Sequence, residues 1–279
     1  MMRAPDPSLS GYLLELQAKG QVSFTRDEAV KRLRVTETAF LKSAKRLEKR
    51  GSLLKPRHGF YVVVPPQYRS WGGPPPTWYI DALMRHEGHS YYVGLLKAAE
   101  LHGATHHAVM EFQLVTDKQF PRIRAGRSII AFHYRKDLLS VLPGVVDYKT
   151  DTGNMKLSSP ELTAFDLVRY LHAVGGIDAV GTALSDMKDM LEGRKLATLA
   201  AQFERAVCQR LGYMLDLLGA DDGSAPGTDA LHDALFTRQS VSWTALEPLK
   251  RGQAAGKVEP VERNERWRVL VHRKPEIDE

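Results

Sequence analysis

A chain of 279 residues is long for one hydrophobic core and comfortable for two, because single domains cluster near ~100 to 150 residues. With 43% hydrophobic and 26% charged residues, the composition is that of an ordinary globular protein and excludes disordered and fibrous classes. The first ten residues lack the apolar stretch of a signal peptide, no apolar run approaches the ~18 residues of a spanning helix, and Cys208 is the single cysteine; the expected setting is a reducing cytoplasm, neither secreted nor in a membrane.

The charge is unevenly placed. Residues 1–70 hold 14 Lys/Arg against 6 Asp/Glu, whereas the other 209 hold 25 against 27. All of the net positive charge therefore sits in the first quarter. Condensed positive charge on a small domain attracts polyanions, since neutralising phosphates releases counterions. A solvated basic face without a partner gives the same count, so local structure has to decide.

In chain order, SLSGYLLELQAKG reads as a helix started by Ser8 and stopped by Gly20, with Leu9, Tyr12, Leu13 and Leu16 at helical spacing. Thr25 followed by Glu28 is a capping box for a short second helix carrying Ala29, Val30 and Leu33. Thr36 opens a third. In that helix, TETAFLKSAKRLEKRG, a turn of 100° per residue gathers Phe40, Ala44 and Leu47 on one stripe and Thr38, Lys42, Lys45 and Lys49 on the opposite face. Gly51 is its terminator, and SLLKP and GFYVVVP follow as two short β-prone runs around Arg57, His58 and Gly59.

Helix, helix, helix and two-stranded wing is the order of a winged helix-turn-helix, with only Arg34 and Val35 between the second helix and the cap of the third. Such a module places its third helix in the major groove. Lys42 and Lys45 are expected to face double-stranded DNA, with Lys49 on the same side, Thr36, Thr38 and Arg46 near the groove edge and phosphates, and Lys55, Arg57 and His58 on the wing. A winged helix used for protein contacts is the alternative.

Gly72, Gly73, Pro74, Pro75 and Pro76 mark a boundary. The expected division is a winged helix over 1–70, a Gly/Pro linker over 71–77 and a larger mixed domain over 78–279. In that domain Trp78, Ile80, Leu83 and Met84 predict a helix, and YYVGLLKAAELHG a second. Three β-prone stretches follow, MEFQLVTD, SIIAFHYR and GVVDYKT, the first two separated by the turn-rich FPRIRAG. Then come helices over PELTAFDLVRYLHAVGG, IDAVGTALSDMKDML and one long segment through LATLAAQFERAVCQRLGYMLDLLG, a loop at GADDGSAPGTD, and a last strand at WRVLVHRK. Helices, strands, then helices predict an α+β class with a small sheet and a helical part.

Signals for catalysis are weak. His86, His89, His102, His106 and His107 cluster with Glu87 and Glu100, but HEGH lacks the spacing that puts two histidines on one helix face, so no metal is expected. Glu111, Asp117 and Lys118 resemble nuclease carboxylates only loosely, because Asp117 and Lys118 are adjacent and point to opposite sides of a strand. GQAAGKV, ending near Lys257, is not a phosphate loop, and the SxxK of Ser185 and Lys188 has no partner motif. The expectation is a non-enzyme with no cofactor, the alternative being a DNA-targeting nuclease built on the second domain.

Three blocks carry a family resemblance: the N-terminal module ending in GFYVVVPP; SYYVGLLKAAELHGATHH running into MEFQLVTD; and LSSPELTAFDLVRYLHAVGG followed by QRLGYMLDLLG. Together they resemble the AbiEi-type antitoxin and transcriptional-regulator family of type IV toxin–antitoxin, abortive-infection systems. The resemblance implies a repressor of its own operon acting on inverted repeats, with a second domain that neutralises toxicity. It also implies a nucleotidyltransferase-like toxin as functional partner, without a stable complex. The AELHG and QRLGYMLDLLG blocks read as packing, with Leu101, Leu211, Met214, Leu215 and Leu218 at core spacing and Gly103 at a turn; an antitoxicity surface is the alternative.

Overall fold

A computed structural model describes residues 8–104, 109–219, 227–237, 241–248 and 259–277. Its first helices begin where side chains can take over the orphan amides of a helix start. Ser8 Oγ accepts the Gly11 N–H at 3.1 Å, and α1 (Leu9–Ala18) buries Leu9, Tyr12, Leu13 and Leu16. Thr25 and Glu28 form the reciprocal capping box of α2 (Arg26–Leu33): the Glu28 N–H donates to Thr25 Oγ1 at 3.2 Å, and the Thr25 N–H to Glu28 Oε2 at 2.7 Å. Arg34 then turns the chain with a left-handed φ of 54°, and Thr36 caps α3 (Glu37–Lys49) through the Ala39 N–H at 3.3 Å.

After Gly51, β2 (Leu53–Arg57) and β3 (Phe60–Val63) pair antiparallel. The two-stranded unit expected here has a third member, β1 (Ser23–Thr25), antiparallel to β3, giving the order β1-β3-β2. Three residues are too few to show a period, but Phe24 is fixed by its rings: it stacks on Tyr61 at 5.6 Å and meets Tyr12 edge-on at 5.4 Å. Phe40 closes the same cluster against Tyr61 at 5.2 Å. This aromatic centre, with Leu13, Ala29, Ala44 and Leu47, is a core in its own right.

The Gly/Pro segment is bracketed by 3-10 turns at Pro66–Trp71 and Pro76–Trp78. It is packed. The Arg127 N–H donates to the Trp71 carbonyl at 2.9 Å, and a Cβ on Gly72 would stand 2.8 Å from Gly126 Cα, so two backbones touch where neither has room for a side chain.

Next come α4 (Ile80–Glu87), β4 (Tyr91–Val93), α5 (Leu95–Leu101), β5 (Glu111–Thr116), β6 (Ile123–Ala125), β7 (Ser128–Tyr134), β8 (Val145–Thr150) and β9 (Gly153–Ser158). The six strands form one sheet, β6-β7-β5-β4-β9-β8, with β5 and β7 parallel and the β4–β5 and β6–β7 pairs antiparallel. The predicted helix over YYVGLLKAAELHG is therefore half strand. Tyr91, Tyr92 and Val93 are all buried, as befits an interior strand, and the helix starts only after Gly94. FPRIRAG, expected to be a turn, supplies edge strand β6, and GNMKLS supplies β9.

The remaining elements are α6 (Pro160–Arg169), α7 (Ile177–Met187), α8 (Gly193–Ala200), α9 (Arg205–Gly219), α10 (Thr228–Phe236), β10 (Thr244–Ala245), β11 (Glu262–Asn264) and β12 (Val269–Val271). The last strand predicted at WRVLVHRK is β12, the middle of a three-stranded sheet ordered β10-β12-β11. The single long helix expected over 196–219 is two, α8 and α9. Phe203 leaves helical geometry to stack on Phe165 at 4.5 Å, and Glu204 restarts the helix: its carbonyl accepts the Val207 and Cys208 amides and its carboxylate holds Arg169 at 2.8 Å.

The class is mixed α+β with several sheets. By its contacts the chain forms two units, the first from the described residues of Met1–Val93, Met110–Leu138 and Asp147–Lys156, the second from those of Gly94–Val109, Leu139–Val146 and Leu157–Glu279. No helix among the described residues is long and apolar enough to cross a membrane.

Candidate nucleic-acid interface

α3 is amphipathic because its buried stripe and its charged stripe are half a turn apart. Phe40, Ala44 and Leu47 are buried in the aromatic core, while Thr38, Lys42, Lys45 and Lys49 are exposed on the other side. Among the described residues, no acidic side chain pairs with Lys42, Lys45 or Lys49. Three acids of the same module are occupied elsewhere. Glu37 takes Arg26 at 2.6 Å, Asp27 takes the same guanidinium at 3.2 Å, and Glu15 takes Lys19 and Arg32, each at 2.8 Å. The hydrogen bond from Lys19 holds the Glu15 carboxyl below the usual carboxylate range.

The other residues singled out in the sequence divide into three situations. Thr36 is committed to the α3 cap, and the exposed Arg46 donates to Ser43 Oγ at 3.0 Å. Lys55 is exposed on β2 with its ammonium 5.8 Å from the Tyr61 ring, and His58 is exposed at the β2–β3 turn, its carbonyl accepting from His86 Nε2 at 3.0 Å. Arg57, also expected on the wing, ends β2 and is held by other parts of the protein. Its side chain is only 20% exposed, 3.7 Å from Glu87, and its Nη2 donates to the Pro121 carbonyl at 3.3 Å. The guanidinium also lies 5.3 Å and 5.7 Å from the Phe120 and Phe132 rings. Two ring faces and a carboxylate hold a guanidinium better than solvent does, and all come from far along the chain, so no local pattern announces them.

Among the described residues, the histidine- and carboxylate-rich segments form separate pairs. His89 Nδ1 lies 2.9 Å from Asp117, His102 Nε2 donates to the Ser158 carbonyl at 2.8 Å, Glu100 accepts the Val109 amide at 3.0 Å, and Glu111 holds Arg122 at 2.9 Å. No group of three or more His, Cys, Asp or Glu able to hold a metal occurs among the described residues. His106, His107 and the GQAAGKV stretch with Lys257 lie outside them. Ser185 is half-buried within α7, and Lys188 opens a 3-10 turn after it.

In the second unit, the QRLGYMLDLLG block is core. Leu211, Met214 and Leu215 are fully buried on α9, and Leu218 is buried beside them. Gly212 lets the fully buried Trp267 ring approach so closely that a Cβ there would sit 2.3 Å from it, and the indole N–H donates to Asp216 at 2.6 Å. Gln209 Nε2 lies 2.9 to 3.2 Å from the carbonyls of Ser242, Trp267 and Arg268. In the AELHG block, Gly103 has φ +82°, a turn that favours glycine, and Leu101 is half-buried. Burial pushes the Cys208 thiol up to about 12.

Residues 92–217 match the family of the AbiEi antitoxin C-terminal domain. No protein of curated function matches the sequence. Among solved structures, the crystal structure of the RV2827C protein from Mycobacterium tuberculosis is similar at 13% identity, with a TM-score of 0.65 over 97% of this chain and 93% of that one. At that identity the likeness is one of fold.

Proposed function

We propose that this chain, whose residues 92–217 match the AbiEi antitoxin C-terminal domain family, is an antitoxin of a toxin–antitoxin system that also binds DNA and represses its own operon through residues 1–70. In this reading α1, α2, α3 and the β1-β3-β2 sheet work as a winged helix-turn-helix. The supporting observation is the solvent face of α3, where Lys42, Lys45 and Lys49 stand exposed on a helix held rigidly by a capped turn and an aromatic core. Thr38 lies on the same face, Thr36 and Arg46 lie at its borders, and Lys55 and His58 lie on the wing. Arg57 serves as the anchor of the wing. Residues 78–279 supply the antitoxin function, opposing a nucleotidyltransferase-like toxin without a stable complex. The chain acts by binding, with no catalytic step and no cofactor, in the cytoplasm.

Gel retardation of the duplex upstream of the chain's own gene tests this reading. Lys42→Ala with Lys45→Ala should abolish retardation while leaving the melting temperature unchanged, and each removed phosphate contact should take roughly one unit from the salt slope. Unchanged affinity in the double variant would rule out α3 as the reading helix. A nucleotidyltransferase-like reading frame beside the gene is the expected source of the toxin.

A further inference from the structure

We propose that the sheet of the first unit contributes a second phosphate-contacting patch, Lys118 and Arg124, that continues the duplex surface beyond the wing. This rests on the duplex-binding reading above and extends it to residues outside the helix-turn-helix. The geometry begins at the wing tip. β2 packs beside β6, and Arg57 Nη2 reaches the Pro121 carbonyl at 3.3 Å, which ties the segment between β5 and β6 to the tip. The Phe120 ring is shared: the Arg57 guanidinium lies 5.3 Å from its centroid and the Lys118 ammonium 5.4 Å. Lys118 is exposed and so stands beside the wing, against the same ring as its anchor.

On β6, Ile123 and Ala125 are buried, and the alternation of a strand turns Arg124 between them outward into solvent. The acids that could neutralise this surface have other partners. Glu87 faces Arg57, Asp117 is bonded to His89, and Glu111 holds Arg122, itself 68% exposed. Among the described residues Lys118 and Arg124 have no acidic partner, as with the lysines of α3. Exposed cations interleaved with an aromatic ring beside a wing have the chemistry for tracking a phosphodiester backbone, which carries no sequence information but lengthens the footprint and fixes register.

The test uses the full chain and a fluorescein-labelled mixed-sequence duplex of about 30 base pairs, titrated by anisotropy across a salt series. Lys118→Ala with Arg124→Ala should bind roughly tenfold or more weakly at ~0.1 M salt, with the log–log salt slope reduced by about two units. Lys118→Arg with Arg124→Lys should retain both affinity and slope. If the double alanine variant keeps wild-type affinity and slope while Lys42→Ala with Lys45→Ala abolishes binding, the patch is refuted and the reading of α3 stands. A loss of affinity with the slope unchanged refutes it equally, because no phosphate contact was removed. Absence of any salt-sensitive binding by the wild-type chain overturns the duplex reading and the patch together.

Discussion

α3 in the first unit and α9 in the second are both amphipathic in sequence, yet they meet opposite fates. α3 buries three side chains along one stripe and leaves its lysines in water, whereas ten of the fifteen residues of α9 are buried, among them Gln209 and Gly212. A helix with one wet face has side chains to spend on a partner. A helix wrapped on most sides has already used them on its own protein, and the residues of the QRLGYMLDLLG block are explained by packing before any partner is invoked.

The sharpest way to break that contrast is at Gly212. A Cβ there would lie 2.3 Å from the Trp267 ring, so Gly212→Ala should cost about 3 kcal/mol, read as a lowered melting temperature, with duplex affinity unchanged at low temperature. If the variant melts normally, α9 is not the packed element described. A smaller effect should appear in alkali. The folded Cys208 thiol sits at about 12, while an unfolded cysteine ionises near ~8.5, so above that value the unfolded chain gives up a proton that the folded chain keeps. Stability should be intact below pH ~8 and fall by about 2 kcal/mol by pH ~10. Urea titrations along that pH range should show a flatter decline in Cys208→Ala, and an equal decline would mean the thiol is not the group responsible. Smallest is the loss of the α3 cap: Thr36→Ala should cost about 1 kcal/mol by denaturant melting and weaken duplex binding through fraying of the first turn.

What was legible in the sequence follows from the range of the signals. Ser8, the Thr25–Glu28 box, Thr36 and Gly51 act within three or four residues, so the three N-terminal helices and the buried Phe40, Ala44 and Leu47 stripe stand where the pattern puts them. Elements fixed by distant partners were hidden. β1 and β4 are three residues each, β6 is held by its hairpin with β7, and the break between α8 and α9 depends on Phe165, almost forty residues before Phe203. The same holds for the candidate site. The lysines of α3 announce themselves by helical period, but Arg57 belongs to rings more than sixty residues away, and Lys118 and Arg124 gain meaning only because β6 packs beside β2.

The grip on Arg57 has a mechanical consequence. A hairpin bolted at its tip by a guanidinium between rings, a carboxylate and a carbonyl cannot bend to follow a curved or widened groove. A duplex docked there as proposed would have to conform to the hairpin, and its stiffness, more than any adjustment of this chain, would then set which shapes are accepted.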